Sequence, residues 1–377
     1  MENIIQFTTV SGEKKINTDI LGGSGFYDED GNFKLTAAKL GLVQAYAQVG
    51  TNVPVSKEEF KEKYGLQSDN LDRFNPLMEQ YKKVQGNCID FQENILPQTV
   101  TLASDVVNYS KDFNEYCNAM LDVVQDRKSE KISKEEAKET IDGICETLKG
   151  SADKFADRAK GITEKLRTFV IETKNTNVNL TKIVKGFQEE KEKDSTIKNF
   201  AKRMEKLQSL LKAANEEYEH DVTVAATTPT YAWVIPWGTV AAVIVAGIYG
   251  SGATKTYNKI KELTEQIEDL LKDYNTKILL YGDMDICVNH VNEVIQLAEQ
   301  AIPVVEEMQS FWQAISDDMG YLKDIINDKI EEAAEVLQKI GIKRAIKQWT
   351  DIEKLADSYR ATAYIDVKTK EEILKVS

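Results

Sequence analysis

Two histidines, His220 and His290, and four cysteines, Cys88, Cys117, Cys145 and Cys287, are the side chains best suited to hold a metal, attack an electrophile or move a proton. Their number and spacing exclude most of that chemistry. The cysteines lie 29, 28 and 142 positions apart with no Cys-x-x-Cys pair, so neither a zinc site nor a redox motif is spelled out. Each stands among apolar residues at helical spacing, as Cys88 does between Val84 and Phe91, and reads as a small buried hydrophobe, with a disulfide the lesser reading. His290, beside Val288 and Val291, reads as an ordinary helix histidine. His220 borders an apolar segment and lies near Glu217, Glu219 and Asp221, where a change of charge between about pH 5.5 and 7.5 would act as a latch. The run Gly22-Gly23-Ser24-Gly25 carries neither a Gly-Lys-Ser/Thr sequence nor a Gly-x-Gly-x-x-Gly pattern and reads as a turn, not a phosphate cradle. Asp28, Asp30 and Gly31 echo a calcium loop, but Phe26 takes the first ligand position and a polar turn explains them. Glu331, Glu332 and Glu335 form a solvated acidic face. No nucleophile with a base, no metal and no cofactor is expected, and the chain is not expected to be an enzyme.

The elements that carry these residues are mostly helical. The chain has 377 residues, and 48 basic against 62 acidic side chains leave a net charge of −14, a balance that repels a polyphosphate backbone and argues against a nucleic-acid partner. Six prolines and a wealth of Lys, Glu, Ala, Leu and Gln describe helix. Residues 1–72 read as a loop-rich cap in which β-branched pieces such as Ile4 to Val10 precede short helices over 35–49 and 57–64, the second opened by a Ser56/Glu59 capping box. From Phe74 to Val124 apolar residues recur three or four apart, with Pro97 expected to kink or break the helix near Leu96. A second stripe opens at a Ser133/Glu136 capping box and runs to Phe187. It resumes over Ile197 to Ala214, with near continuity expected across the charged stretch 189–194. A third, from Tyr257 to Ile315, spans about sixty residues, roughly 90 Å of helix. Pro303 is expected to kink it without ending it, and Gly320 and Gly341 to mark breaks between further helices. The expected fold is all-α: an elongated bundle of long antiparallel helices over 73–219 and 253–377, with a small hydrophobic head, 220–252, between two of them.

That head is the anomaly of the sequence. Between Asp221 and Lys255 lie 33 residues without a charge, including two of the four tryptophans. Pro236 leaves only 13 residues from Trp237 to Tyr249, about 20 Å of helix, short for a single span. Gly238, Ala242, Ala246 and Gly250 recur every fourth position, a spacing that lets helices approach closely in lipid. Tyr231, Trp233, Trp237 and Tyr249 at the margins suit a bilayer interface. Three readings remain: a cap folded under the bundle tip, a permanent anchor with little orientation signal beyond Lys255 and Lys259, and an element stored in the soluble form and inserted on contact. The stored form is either a short helical hairpin or a β-tongue, the latter left open by the many β-branched residues.

The order of parts resembles the cytolysin A superfamily of α-helical pore-forming toxins, in particular the alpha-xenorhabdolysin A-type subunits, with the helical insecticidal crystal toxins and the enterotoxin components of bacilli. Two stretches are similar to pieces of those proteins: Leu35 to Leu66, containing GLVQAYAQVGTNVPVSKEEF, and MQSFWQAISDDMGYLKDI from Met308 to Ile325. The resemblance implies a cytotoxin subunit that is soluble, binds a target-cell membrane, frees its head from the bundle and oligomerises, with a second component as partner. It implies that Trp233, Val234, Ile235, Trp237, Val240, Val243, Ile244, Val245 and Ile248 contact lipid and that Gly247, Gly250 and Gly252 form a hinge. The N-terminus, Met1 to Lys15, lacks the basic and apolar regions of a signal peptide, so secretion without an ordinary signal is expected. The rival from another class is a structural coiled-coil protein with a permanent membrane hairpin.

Overall fold

The computed structural model describes residues 4–10, 12–29, 31, 33–35, 37–64, 71–187, parts of 195–214, 232–236, 241–245, 254–272 and 276–364. Strands β1 (Ile4–Thr9) and β2 (Gly12–Asn17) pair antiparallel, and a one-turn helix α1 (Thr18–Leu21) follows, capped by the Asn17 side chain. Then come α2 (Ala37–Gly50), α3 (Lys57–Tyr64), α4 (Asn75–Asp90), α5 (Leu96–Lys128) and α6 (Lys134–Gly186). Strands β3 (Ala232–Pro236) and β4 (Ala241–Val245) precede α7 (Thr254–Lys272), α8 (Thr276–Asp328), α9 (Ala333–Lys339) and α10 (Ile342–Thr362). Long helices dominate, as the apolar periodicity requires.

The Ser56/Glu59 capping box is complete, and at Ser133 the serine half of the expected box is present. The Glu59 N–H donates to Ser56 Oγ and the Ser56 N–H to the Glu59 carboxylate, each at 3.2 Å. The Glu136 N–H donates to Ser133 Oγ at 3.0 Å. Pro97 does not end its helix. A π-helical turn, Phe91–Ile95, lies just upstream and takes up the missing donor and the ring's clash with the Glu93 carbonyl. Pro303 lies inside α8, which continues past it. Gly320 is a correction: the expected break is absent, because α8 runs through it to Asp328 and a helical glycine costs only about 1 kcal/mol relative to alanine. Gly341, at φ 72°, does separate α9 from α10. Residues 189–194, where continuity was expected, lie outside the described residues, as do 273–275 within the third stripe.

The chain divides into two compact units. The first holds 1–36, 98–164 and 302–361. Its core is an aromatic cluster in which Trp312 of α8 and Trp349 of α10 both pack on Tyr109 of α5, at 5.0 and 4.9 Å between ring centroids, and Phe155 of α6 meets Trp312 at 5.1 Å. The N-terminal segment plugs this core through Phe26, whose ring lies 4.7 Å from that of Trp312. The Gly22–Gly25 turn is therefore a packing device. Gly23 has φ 80°, and a Cβ there would collide with Ile352, as one on Gly25 would with the Phe311 ring. The Trp349 indole N–H donates to the Leu21 carbonyl at 2.9 Å, and Ser110 Oγ donates to the Trp349 carbonyl at 2.6 Å. Asp28 and Gly31 sit in the turn closed by a bridge between Tyr27 and Phe33. Glu331, Glu332 and Glu335 are exposed, and Glu331 is paired with Arg127 at 3.0 Å.

The second unit holds 37–97, 165–301 and 362–377. Phe91 in the π turn packs on Phe169 of α6 at 5.1 Å, and Phe74 joins Phe60 and Phe187 at 5.2 and 5.5 Å. An ion pair between Lys174 and Glu299 and a hydrogen bond from Asn177 to Asn292 at 2.7 Å tie α6 to α8.

Candidate membrane-interacting head

The described part of the head is a β-hairpin, which decides between its two expected stored forms. The register opposes Ala232 to Val245, Trp233 to Ile244, Val234 to Val243, Ile235 to Ala242 and Pro236 to Ala241. These ten residues carry no charge and no hydrogen-bonding side chain except the tryptophan indole, and Pro236 stands at a strand end, where a missing donor is tolerated. β-Branched residues supply half of them and suit the pleated backbone. Two strands of five residues do not hold together in water without support. Support comes within the second unit from α2, whose Cα atoms approach those of β3 within 8 Å.

Helix α2 is itself firmly seated. Leu40, Val43, Tyr46 and Ala47 are buried, and the Gln44 amide donates to the Ala363 carbonyl at 2.8 Å. At its C-terminal end Gly50 lies against Cys88 with no room for a Cβ, and the Gln85 amide caps the Thr51 carbonyl at 2.9 Å. The stored hairpin is therefore a small apolar sheet beside a helix that is fixed to α4 and to the chain's C-terminal segment.

Of the residues expected to meet lipid, the hairpin brings Trp233, Val234, Ile235, Val243, Ile244 and Val245 together in one sheet. Tyr231, Trp237, Val240, Ile248 and Tyr249 lie outside the described residues, as do Gly238, Ala246, Gly247, Gly250 and Gly252. Ala242, the remaining member of the small-residue stripe, is in β4 opposite Ile235. Ala242 is the only member of that stripe in a described strand, so the described hairpin does not assemble it. Among the described residues, no helix is long and apolar enough to cross a membrane.

The residues first weighed for chemistry are placed as follows. Burial pushes the Cys145 thiol up to about 12 and holds Cys88 and Cys117 well above the usual thiol range, so all three stay protonated at neutral pH. No group of three metal-ligating side chains gathers among the described residues. His220 lies outside them, and His290 is on α8. Burial also raises two carboxyls. Asp105 on α5, paired with Arg158, stands at about 6, and Asp318 on α8, which accepts from the Asn17 backbone N–H, at about 7.

No family model matches the chain. The pesticidal crystal protein Cry6Ba of Bacillus thuringiensis is 23% identical to it over 386 residues, covering 95% of this chain and 94% of that protein. Soluble SmhA of the tripartite α-pore-forming toxin Smh from Serratia marcescens superposes with a TM-score of 0.65 at 12% identity, over 92% of this chain and 94% of that one. The HblL1 toxin component of Bacillus cereus gives 0.63 at 16% identity, over 93% and 97%. The chain has the fold of the α-pore-forming toxin components. In that fold, the uncharged insertion between long helices is the part without a counterpart in an ordinary bundle.

Sequence reasoning singled out the uncharged segment and missed the helix beside it. The signal was present: Ala37–Gly50 holds one charge, Lys39, in fourteen residues. In a chain that is 29% charged, a second stretch of that length with a single charge fits a helix that packs beside the first.

Proposed function

We propose that this protein is a subunit of an α-helical pore-forming cytotoxin that acts by insertion rather than turnover. It binds a target-cell membrane, releases the 220–252 head from α2 and oligomerises there, with a second toxin component as partner. The observation that carries this reading is the uncharged β3–β4 hairpin, stored beside an almost uncharged helix in a chain with the fold of toxin components. Transfer of about a dozen apolar side chains into lipid is worth roughly 1.5 to 3 kcal/mol each, more than a ten-residue hairpin needs to leave its place. A head that becomes helical in the membrane would carry Gly238, Ala242, Ala246 and Gly250 along one side, a spacing that lets helices approach closely in lipid. In that state Trp233, Val234, Ile235, Trp237, Val240, Val243, Ile244, Val245 and Ile248 meet lipid, Tyr231 and Tyr249 sit at the interface, and Gly247, Gly250 and Gly252 form the hinge. The domain roles follow: 1–72 as cap, 73–219 and 253–377 as bundle, 220–252 as membrane element. The stretches 35–66 and 308–325 favour the alpha-xenorhabdolysin A type within the superfamily. The route is passage from solution to the host membrane.

Flotation with liposomes, paired with release of an entrapped dye, tests the reading on the parent and on Ile244→Asp. A carboxylate in hydrocarbon costs several kcal/mol, so the variant should lose flotation while its far-ultraviolet circular dichroism stays unchanged. Flotation without leakage is expected for a component that needs a partner. Equal flotation of parent and variant would show that the head is not the inserting element, and a parent found only in membranes would favour the permanent hairpin.

A further inference from the structure

The α5–α6 hairpin sets two thiols at one level. Helix α5 ends in a tight turn in which Glu130 adopts φ 55° and the Lys131 N–H returns to the Asp126 carbonyl at 2.9 Å. Cys117 and Cys145 each lie fourteen residues from Lys131, one along α5 and one along α6. Eleven helical residues separate each from its end of the turn, at Lys128 and Lys134, so equal rise along two antiparallel helices brings them to the same height, about 17 Å from the turn. Both side chains are buried, at 0% and 1% exposure, each between apolar neighbours one turn away: Phe113 and Met120 on α5, Ile141 and Leu148 on α6. The two sulfurs are near enough to interact: burial first, and then the neighbouring Cys145 sulfur, push the Cys117 thiol up, as a near neighbour does in a medium of low dielectric. Cys88 is in the other unit, where its thiol donates to the Tyr46 carbonyl at 3.9 Å.

From this register and burial we propose that Cys117 and Cys145 form a dithiol that oxidises to a disulfide joining α5 to α6. A spacing of 28 residues conceals the pair in the sequence, because only a hairpin folded symmetrically about Lys131 brings its members level. The oxidant is an external disulfide of the glutathione class. One cysteine thiolate attacks it, forming a mixed disulfide and expelling one reduced thiol, and the second cysteine attacks the mixed disulfide and expels the other. Two electrons pass from the two cysteines to the reagent's sulfur–sulfur bond, and the two protons end on the released thiols. Both cysteines are held protonated in the closed core, so the exchange runs while the hairpin forms or opens locally, and the product closes into the native packing. The bond constrains the unfolded chain between the two helices and stabilises the first unit. The inference is independent of the pore-forming reading.

The test is to unfold the full chain in guanidinium, refold it in a mixture of reduced and oxidised glutathione, block free thiols with an alkylating reagent and measure the intact mass and the peptide map. Two fewer alkylated thiols, a backbone mass about 2 Da lower and a peptide linking Cys117 to Cys145 are expected. The linked form should melt several degrees above the reduced form. Cys117→Ser and Cys145→Ser should each abolish the link, whereas Cys88→Ala and Cys287→Ala should leave it. Four alkylated thiols in the refolded parent, or a link that includes Cys88 or Cys287, would overturn the proposal, and the parent's peptide map decides it even where a serine variant fails to fold.

Discussion

Two antiparallel hairpins interrupt this helical chain, and they are built on opposite principles. β1–β2 carries Glu13, Lys14 and Lys15 and is fastened to the helices at several points. The Val10 N–H donates to Asp328 at 2.6 Å, Lys14 pairs with Asp324 at 3.1 Å and lies over the Tyr321 ring, and Lys339 lies over the Phe7 ring. Only Phe7 and Ile16 supply its buried apolar contacts. β3–β4 has the reverse composition, ten residues with no charge and no side-chain carboxylate or ammonium to fasten. Directional contacts fix a hairpin to one site, because a polar group that leaves its partner must find another. Apolar contacts are non-directional and are satisfied equally by a helix such as α2 or by lipid. The first hairpin is a clasp, and the second has no such directional fastening, as the proposed release requires.

Locking each hairpin in turn tests that contrast with the largest effect. A disulfide across the directly opposed pair Val234→Cys and Val243→Cys would hold the head as a β-hairpin, and a matching one across the exposed pair Gln6→Cys and Lys15→Cys would hold the clasp. Under the conditions in which the parent releases dye, with whatever partner component it needs, the head lock should abolish release until a reductant is added. The clasp lock should leave release at the parental level. Equal loss from both would erase the distinction. Next in size is Trp349→Ala in the core that the clasp covers. It removes a fully buried ring and the donor to the Leu21 carbonyl, and should lower stability by about 3 to 5 kcal/mol in a denaturant titration.

The sequence exposed the two hairpins unequally. The segment that holds the second hairpin stood out because absence of charge over 33 residues is a one-dimensional signal, and the long helices were legible because periods of three and four are local. The Ser56/Glu59 box and the Ser133 cap were readable for the same reason. The clasp was legible only as β-branched pieces, since its partners Asp324, Asp328 and Lys339 lie more than three hundred residues away along the chain. The use of Gly22, Gly23 and Gly25 against Gln348, Ile352 and Phe311 was hidden likewise. Gly320 misled because glycine is weighed as a breaker by type, whereas a 53-residue helix packed along its length absorbs one. The support given to β3 by α2 links segments nearly two hundred residues apart, and only the low charge of each hinted at it.

A smaller effect concerns Asp318, which the clasp covers through the Asn17 N–H. Its carboxyl is raised to about 7 by burial, with Asp317 adding in the same direction, and one of its oxygens has no partner. The folded state thus holds a proton that the unfolded chain releases near pH 4. The associated stability is present in full below about pH 4 and is lost as pH rises through 7. Asp318→Asn keeps an acceptor for Asn17 and removes the charge. It should stabilise the protein at pH 8 by on the order of 2 kcal/mol, with little difference from the parent at pH 4. A parallel offset at both pH values would show that the carboxyl is not the source.

The smallest expected effect is the most specific to the clasp. Lys14 and Asp324 form a part-exposed pair, with side-chain exposures of 21% and 40%, and pairs of that kind contribute about 0 to 1 kcal/mol because solvent screens them. The same ammonium lies 5.1 Å from the centre of the Tyr321 ring, a contact worth roughly 0.5 to 1 kcal/mol at an exposed site. Lys14→Met retains the aliphatic stem and loses both electrostatic contacts, so it should cost about 1 kcal/mol at low salt, and most of the ion-pair share should disappear at 1 M salt. Tyr321→Leu in the Lys14→Met background should then add only its packing loss, with no further dependence on salt. Neither variant should alter dye release, because the clasp stays folded and the head is untouched. A gain in dye release from Lys14→Met would mean that the two hairpins are coupled, and that loosening the first lowers the barrier to freeing the second.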